Sequence, residues 1–235
     1  AFLRGGTMNT VANSVGVRRD KPEGLLGRLI RAYAMRASEP LANVERRVMR
    51  IGNEGSYHYG FLFGTGVVAG FLSEYYAGGE PSPLVAAKTL ARAVGSTLVQ
   101  GEMIKRMARP FRGSVLLGDA NDGARWEERD YLSVAAGTID QIGLNFRPFR
   151  RYGERDAAFH ALGIYASPFQ FVCDLPRIWR AEPMREGRAF EACESRMLVR
   201  SADGVMRYMI DGDLHERRGE VEVTIGPRVK IVVGT

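Results

Sequence analysis

Two short stretches hold the residue types that phosphate and hydroxyl chemistry needs. Gly5-Gly6-Thr7-Met8-Asn9 follows the apolar Ala1-Phe2-Leu3, and the order reads as a strand end, a glycine turn and a helix start. Backbone N–H groups at such a junction can face an anion. The Thr7 hydroxyl and the Asn9 amide can hydrogen-bond phosphate or ribose oxygens. The same five residues equally read as an ordinary turn with Thr or Asn capping a helix. At the other end, Asp211-Gly212-Asp213 follows Arg-Tyr-Met-Ile. Two acids flanking a glycine can hold a divalent cation, or one can take a proton from a hydroxyl nucleophile. Asp-Gly is also a favoured hairpin dipeptide.

Other machinery is missing from the sequence. It has no G-x-S-x-G elbow, no G-K-[ST] phosphate loop and no G-x-G-x-x-G after a strand. His58, His160 and His215 stand at no metal-ligand spacing and read as surface or packing residues. The net charge of +6 suggests anionic partners, but the arginine pairs at 18–19, 46–47, 150–151 and 217–218 are spread among acids. A solvated surface accounts for them, and nucleic acid is not an expected partner. Cys173 and Cys193 sit among apolar residues and read as reduced core thiols, as in a cytoplasmic protein.

The elements that must position these stretches follow from periodicity. Asp20-Lys21-Pro22-Glu23 predicts a helix start with Asp20 as cap, and Leu25, Leu26, Leu29, Ile30 and Tyr33 form one apolar stripe. Residues 44–51 alternate with period two, and SYHYGFLFGTGVVAGFL reads as an aromatic-rich strand. Ser82-Pro83 caps a helix that runs toward Met103, weakened by Gly95 and Gly101. Strands are expected at 114–119, 130–139 and 159–167. Ser167-Pro168 caps another helix, which Pro176 should bend or interrupt. The last fifty residues read as an antiparallel meander of four strands, broken at Ser201-Ala202-Asp203-Gly204, at a polar loop ending in Gly219, and at Gly226-Pro227. The expected fold is mainly β with helices (α+β), an antiparallel β-sandwich at 41–235 preceded by residues 1–40 of a different character.

LRGGTMNTVANSVG resembles the P-x-G-T-x-N-D-x-A-R segment of the diacylglycerol, sphingosine and ceramide kinase family. MIDGDLHERRGEVEVTIGPRVKIVV resembles its closing V-D-G-E segment and final strands. Between them, FLFGTGVVAGF is similar to its first sandwich strand, and YLSVAAGTIDQIGLNFRPF to its Asn-Gly and Pro segment. The resemblance implies a two-lobed lipid kinase that uses ATP and Mg²⁺. Residues 1–40 would then be the C-terminal remnant of an α/β nucleotide-binding lobe, whose G-G-D-G-T loop is not in this sequence, and 41–235 the lipid-binding lobe. It implies that Gly6, Thr7 and Asn9 face the nucleotide and that Asp211 and Asp213 are the catalytic acids.

Several positions depart from that pattern. Thr10 and Asn13 replace the family's acid and arginine, Val68 an acid, and Ala136 an asparagine. Asp213 replaces a glutamate and loses about 1.5 Å of reach. The expected activity is transfer of the γ-phosphoryl group of ATP to a lipid hydroxyl, with these 235 residues inactive alone. Two further readings are a non-catalytic lipid- or partner-binding module and an NAD-kinase-like enzyme for a small soluble alcohol. The lipid slot is expected at the Leu84–Leu98 helix and the 169–179 segment, where Arg177 and Arg180 could meet headgroup phosphates. Peripheral contact with the inner membrane face and a homodimer complete the expectations.

Overall fold

The computed structural model describes residues 9–36, 41–53, 55–118 and 123–233. Helices α1 (Thr10–Ser14) and α2 (Pro22–Ala34) come first, then strands β1 (Asn43–Asn53), β2 (Ser56–Gly60) and β3 (Leu62–Thr65). Three helices follow together: α3 (Val67–Ala77), α4 (Pro83–Leu98) and α5 (Glu102–Met107). Strands β4 (Phe111–Leu117), β5 (Arg125–Tyr131), β6 (Ser133–Gly137) and β7 (Phe159–Ile164) lead to helix α6 (Pro168–Trp179). The chain closes with β8 (Ala189–Glu194), β9 (Arg196–Ile210) and β10 (Asp213–Val232).

All strand pairings among the described residues are antiparallel, in the order β2-β1-β10-β9-β3-β6-β7-β8, with β4 on β9 and β5 on β4. Strand β9 makes the sheet fold over. Its Met197–Ser201 half pairs with β4, while Tyr208–Ile210 pairs with β3. The two arms that leave β9 enclose one core, to which β4 and β5 give Val115, Leu117 and Trp126, and β3, β6 and β7 give Phe63, Val134 and Phe159. The opposite face of β6 and β7 carries Ala135, Leu162 and Ile164 into a second core with the helices. Strands β6 and β7 are therefore buried on both faces, which is why their sequences show no polar alternation. Ala12, Val15, Val17 and Leu25 join that second core, so α1 and the start of α2 pack on the sheet's helical side.

Several expectations shift. The stretch from Ser56 holds two strands and then α3, not one strand. Helix α3 buries Val67, Ala69, Leu72 and Tyr75, and an apolar run covered on most sides carries too little contrast to reveal its period. Helix α4 ends at Leu98 and Gly101 caps a separate α5. Helix α6 continues through Pro176 to Trp179, because the proline falls in its last turn. Asp20 lies one residue before the α2 cap and bonds the Lys21 N–H. Of the α2 stripe, Leu25 is buried while Leu26, Ile30 and Tyr33 are exposed. Cys173 is exposed; Cys193 is buried as expected.

The closing meander is three strands instead of four: its first expected strand breaks at Ser195 between β8 and β9, and β9 and β10 each run on through an expected turn. Arg200 pairs with Glu220 and Val205 with Arg218, so Ser201–Gly204 bulges out opposite Gly219 alone. Arg47 pairs with Arg228 and Met49 with Ile225, so Gly226-Pro227 is a second bulge opposite Val48. Turn-type residues here let a strand bend without reversing it, and a bulge tolerates the missing proline donor.

Candidate functional site

The reversal between β9 and β10 is the two-residue turn Asp211-Gly212, with φ of 50° and 108°. Positive φ at both positions is the requirement that makes Asp-Gly a hairpin dipeptide. Ile210 and Asp213 are the first pair of the hairpin. Both expected acids thus stand at one corner, but with different surroundings.

Asp211 folds its carboxylate back on the chain. Its Oδ1 accepts from the N–H groups of Phe61 at 2.9 Å and Leu62 at 2.8 Å, and Oδ2 accepts from Phe61 at 3.0 Å. The Asp211 N–H donates to the Leu62 carbonyl at 3.2 Å. The acid therefore locks the turn to the break between β2 and β3. Gly60 permits this approach: a Cβ there would stand 2.4 Å from Ile210 Cγ2 and 3.0 Å from Asp211 Oδ2. Burial pushes the Asp211 carboxyl up to about 6; the Phe61 and Leu62 N–H bonds oppose the rise and the Asp213 charge adds to it.

Asp213 is exposed at the head of β10. Tyr76 of α3 donates to the Gly212 carbonyl at 2.9 Å, and its phenol is raised by burial and by the Asp213 charge. Two residues along β10, His215 stacks on Tyr208 at 5.3 Å and tilts against His58 at 4.8 Å. Burial and the neighbouring His58 lower the His215 imidazole, while Asp213 opposes them. Tyr76, Gly60 and the histidine pair were not singled out for this corner from the sequence. Only the fold brings them to it, and no local spacing marks them.

At the other end of the chain, Asn9 caps α1 in the left-handed region with φ of 48°, and its carbonyl accepts from the Asn13 N–H at 2.8 Å. Gly6 and Thr7 lie outside the described residues. Ser14 donates to Asp140 at 2.5 Å, tying α1 to the segment after β6. Thr10, next to Asn9, lines the same cavity as Asp211 and Gly212. The first helix and the hairpin turn therefore border one hollow, although Asn9 and Asp213 are not among its lining residues.

That cavity, about 210 Å³, lies between the sheet and the helices. Its floor follows one ladder row, Met209–Gly64–Ala135–Leu162–Glu191, of which Met209, Ala135, Leu162 and Glu191 line it. Four strand-to-strand steps give a row of roughly 19 Å. Leu90 and Val94 of α4 and Phe171 and Leu175 of α6 cover it. It is an apolar slot with acids at its ends.

A divalent cation at this corner needs several oxygen ligands. Among the described residues no three His, Cys, Asp or Glu groups are placed to hold a metal ion, and both Asp211 oxygens already accept backbone N–H groups. Among the described residues, Asp213 alone does not make an Mg²⁺ site. No described helix is long and apolar enough to cross a membrane.

Fold and corner together define an α+β protein whose folded-over antiparallel sheet carries a helical cover above an apolar slot. No family model and no curated protein matches the sequence. Solved structures do share the fold. One is a diacylglycerol kinase from Bacillus anthracis str. Sterne, with a TM-score of 0.55 and 13% identity over 94% of this chain and 62% of that one. Two others from the same organism, provisionally assigned as diacylglycerol kinases, reach TM-scores of 0.62 and 0.61 at 15% and 14% identity. They are matched over 94% and 95% of this chain and 64% and 65% of theirs. The chain therefore has the diacylglycerol-kinase fold and spans less than two thirds of the length of these structures.

Proposed function

We propose that this chain supplies the acceptor side of a lipid kinase, transferring the γ-phosphoryl group of ATP to a lipid hydroxyl. The observation that supports this best is the apolar cavity whose lining includes the Asp211-Gly212 turn. A long hydrocarbon chain lying along the ladder row would place its hydroxyl end at that turn. The hydroxyl oxygen attacks the γ-phosphorus, its proton passes to the Asp213 carboxylate, and the nucleoside diphosphate leaves with the bonding pair. Asp211 is a positioning residue that fixes the turn through Phe61 and Leu62. ATP is the phosphoryl donor, and Gly6, Thr7 and Asn9 are the residues of this chain proposed to face it. Helix α4 exposes Leu84 and Leu98 and helix α6 exposes Phe169 and Trp179, an apolar surface suited to peripheral membrane contact; Arg177 and Arg180 at the end of α6 are both paired with Glu182.

The test is phosphate transfer from labelled ATP by a protein that joins this chain to a G-G-D-G-T-bearing nucleotide domain, with diacylglycerol, a sphingoid base and glycerol as acceptors. Lipid acceptors are expected to be preferred, and Asp213→Ala to lose about 10²–10⁴-fold in rate. Unchanged transfer by Asp213→Ala overturns the assigned role, and a preference for glycerol overturns the lipid reading. The 235 residues alone are expected to transfer no phosphate. A second reading, a lipid-binding module without chemistry, draws support from the single acid left free at the turn. It predicts lipid binding with no transfer to any acceptor.

A further inference from the structure

The Arg46-Arg47 pair stands where β1 loses one neighbour. Strand β2 pairs only with Met49–Asn53, so at residues 45–47 β1 is bonded to β10 alone. A hollow of about 230 Å³ opens there, between that strand edge and the loop from Tyr152 to Ala158. It is lined by Arg46, Arg47, Arg155 and Arg228 against two acids, Glu45 and Asp156.

The acids are oversubscribed. Asp156 meets Arg228 at 2.6 Å and Arg47 at 3.5 Å. Glu45 meets Arg228 at 3.5 Å and Lys230 at 3.7 Å. The cations hold the Asp156 carboxyl below its usual range, through the Arg228 hydrogen bond first. Arg155 donates to the Cys193 carbonyl and reaches Glu194, outside the hollow, at 3.9 Å. Arg46 has no carboxylate partner among the described residues. It donates to the Glu45 backbone carbonyl at 2.8 Å and lies 5.8 Å from the Tyr152 ring centre. The Nε atom of Arg46 is buried with no hydrogen-bond acceptor among the described residues, and that of Arg47 has only the long 3.5 Å ion pair to Asp156.

Buried charged donors without acceptors are costly, and several arginines converging on one hollow are best satisfied by an ion that offers acceptors in several directions. A carboxylate is planar and offers its acceptor sites in a single plane. A phosphate group is tetrahedral and can take N–H donors arriving from several directions at once. We propose that this hollow binds a phosphate group, presented either as a free phosphate or as a phospholipid headgroup. Neither the site nor its ligand depends on the kinase reading.

Isothermal titration of the 235-residue chain with inorganic phosphate tests it. Saturable binding is expected, about tenfold weaker in Arg46→Gln, which removes no ion pair. Arg46→Lys keeps the charge but loses the planar fork, and its affinity must also fall; it serves if the glutamine variant does not fold. Sedimentation with phosphatidylcholine vesicles, with and without phosphatidate, separates the sources. Phosphatidate-dependent binding that phosphate competes away, and that Arg46→Gln weakens, identifies the headgroup as ligand. Phosphate binding without it identifies the free ion. Absence of saturable phosphate binding at millimolar concentration, or equal affinity in the wild type and a folded Arg46 variant, overturns the proposal.

Discussion

Asp211 offers the sharpest test of how the candidate corner is built. Truncation to alanine removes the acceptor for two backbone donors, Phe61 N–H and Leu62 N–H, held at 2.8–3.0 Å. Each donor left without a partner costs about 1–3 kcal/mol. Because the turn itself is exposed and water can recover part of this, about 2–4 kcal/mol is expected for Asp211→Ala. At about 2–4 °C per kcal/mol for a chain of this size, the melting midpoint should fall clearly. Asp211→Asn keeps one carbonyl oxygen where Oδ1 accepts both N–H groups, and should cost no more than about 1 kcal/mol at neutral pH.

The pH dependence of the same pair carries a definite sign. The folded-state carboxyl is raised to about 6 from an ordinary value of 3.8, so between those values the folded protein holds the extra proton. Stability therefore falls as pH rises through that window and is constant above it. The full shift corresponds to about 3 kcal/mol, which solvent screening at an exposed turn reduces to about 1 kcal/mol. Urea denaturation followed by circular dichroism, at pH 4 and pH 7.5, should show the wild type losing about that much relative to Asp211→Asn. Equal midpoints for Asp211→Ala and the wild type would refute the anchoring role. A wild type that gains stability over Asp211→Asn as pH rises would refute the burial reasoning.

Two further substitutions probe the frame around the site. Gly60→Ala drives a methyl group into Ile210 and the Asp211 carboxylate, and overpacking of this kind should cost about 1–3 kcal/mol in the same denaturation assay; a neutral result means that the β2–β3 break relaxes freely. Asp174, fully buried on α6, meets Arg185 at 2.7 Å and Arg188 at 3.0 Å, and Asp174→Ala should cost about 3 kcal/mol, at the low end for a broken buried pair because Arg185 is half exposed. Loosened packing of α6 should appear as faster amide exchange there, and unchanged exchange counts against the clamp.

What was legible in the sequence was local. The Asp211-Gly212 hairpin follows from two adjacent residues that tolerate positive φ. The caps at Ser82 and Ser167 follow from a hydroxyl three residues before an orphan N–H, and both are present, the second as a full capping box with Gln170. The order of strands and helices and the α+β class came from periodicity wherever one face meets water. The same reading failed at α3 and at the bulges of β9 and β10. There the deciding partner is another segment: a strand that continues straight on the far side turns a would-be hairpin into a kink.

The candidate site lies on both sides of that divide. The residue types of the acid corner could be named from Asp211 and Asp213 alone, because carboxylates flanking a glycine are conspicuous in any sequence. Which acid is spent and which is free could not. Asp211 is committed to N–H groups about 150 residues away, a distance in the chain that no spacing rule spans. The apolar slot and the arginine hollow are likewise products of assembly, since each is lined from several elements whose own patterns look like ordinary core or solvated surface. Local backbone preference is written residue by residue, whereas burial and the pairing of charges are properties of whatever the folded chain brings alongside.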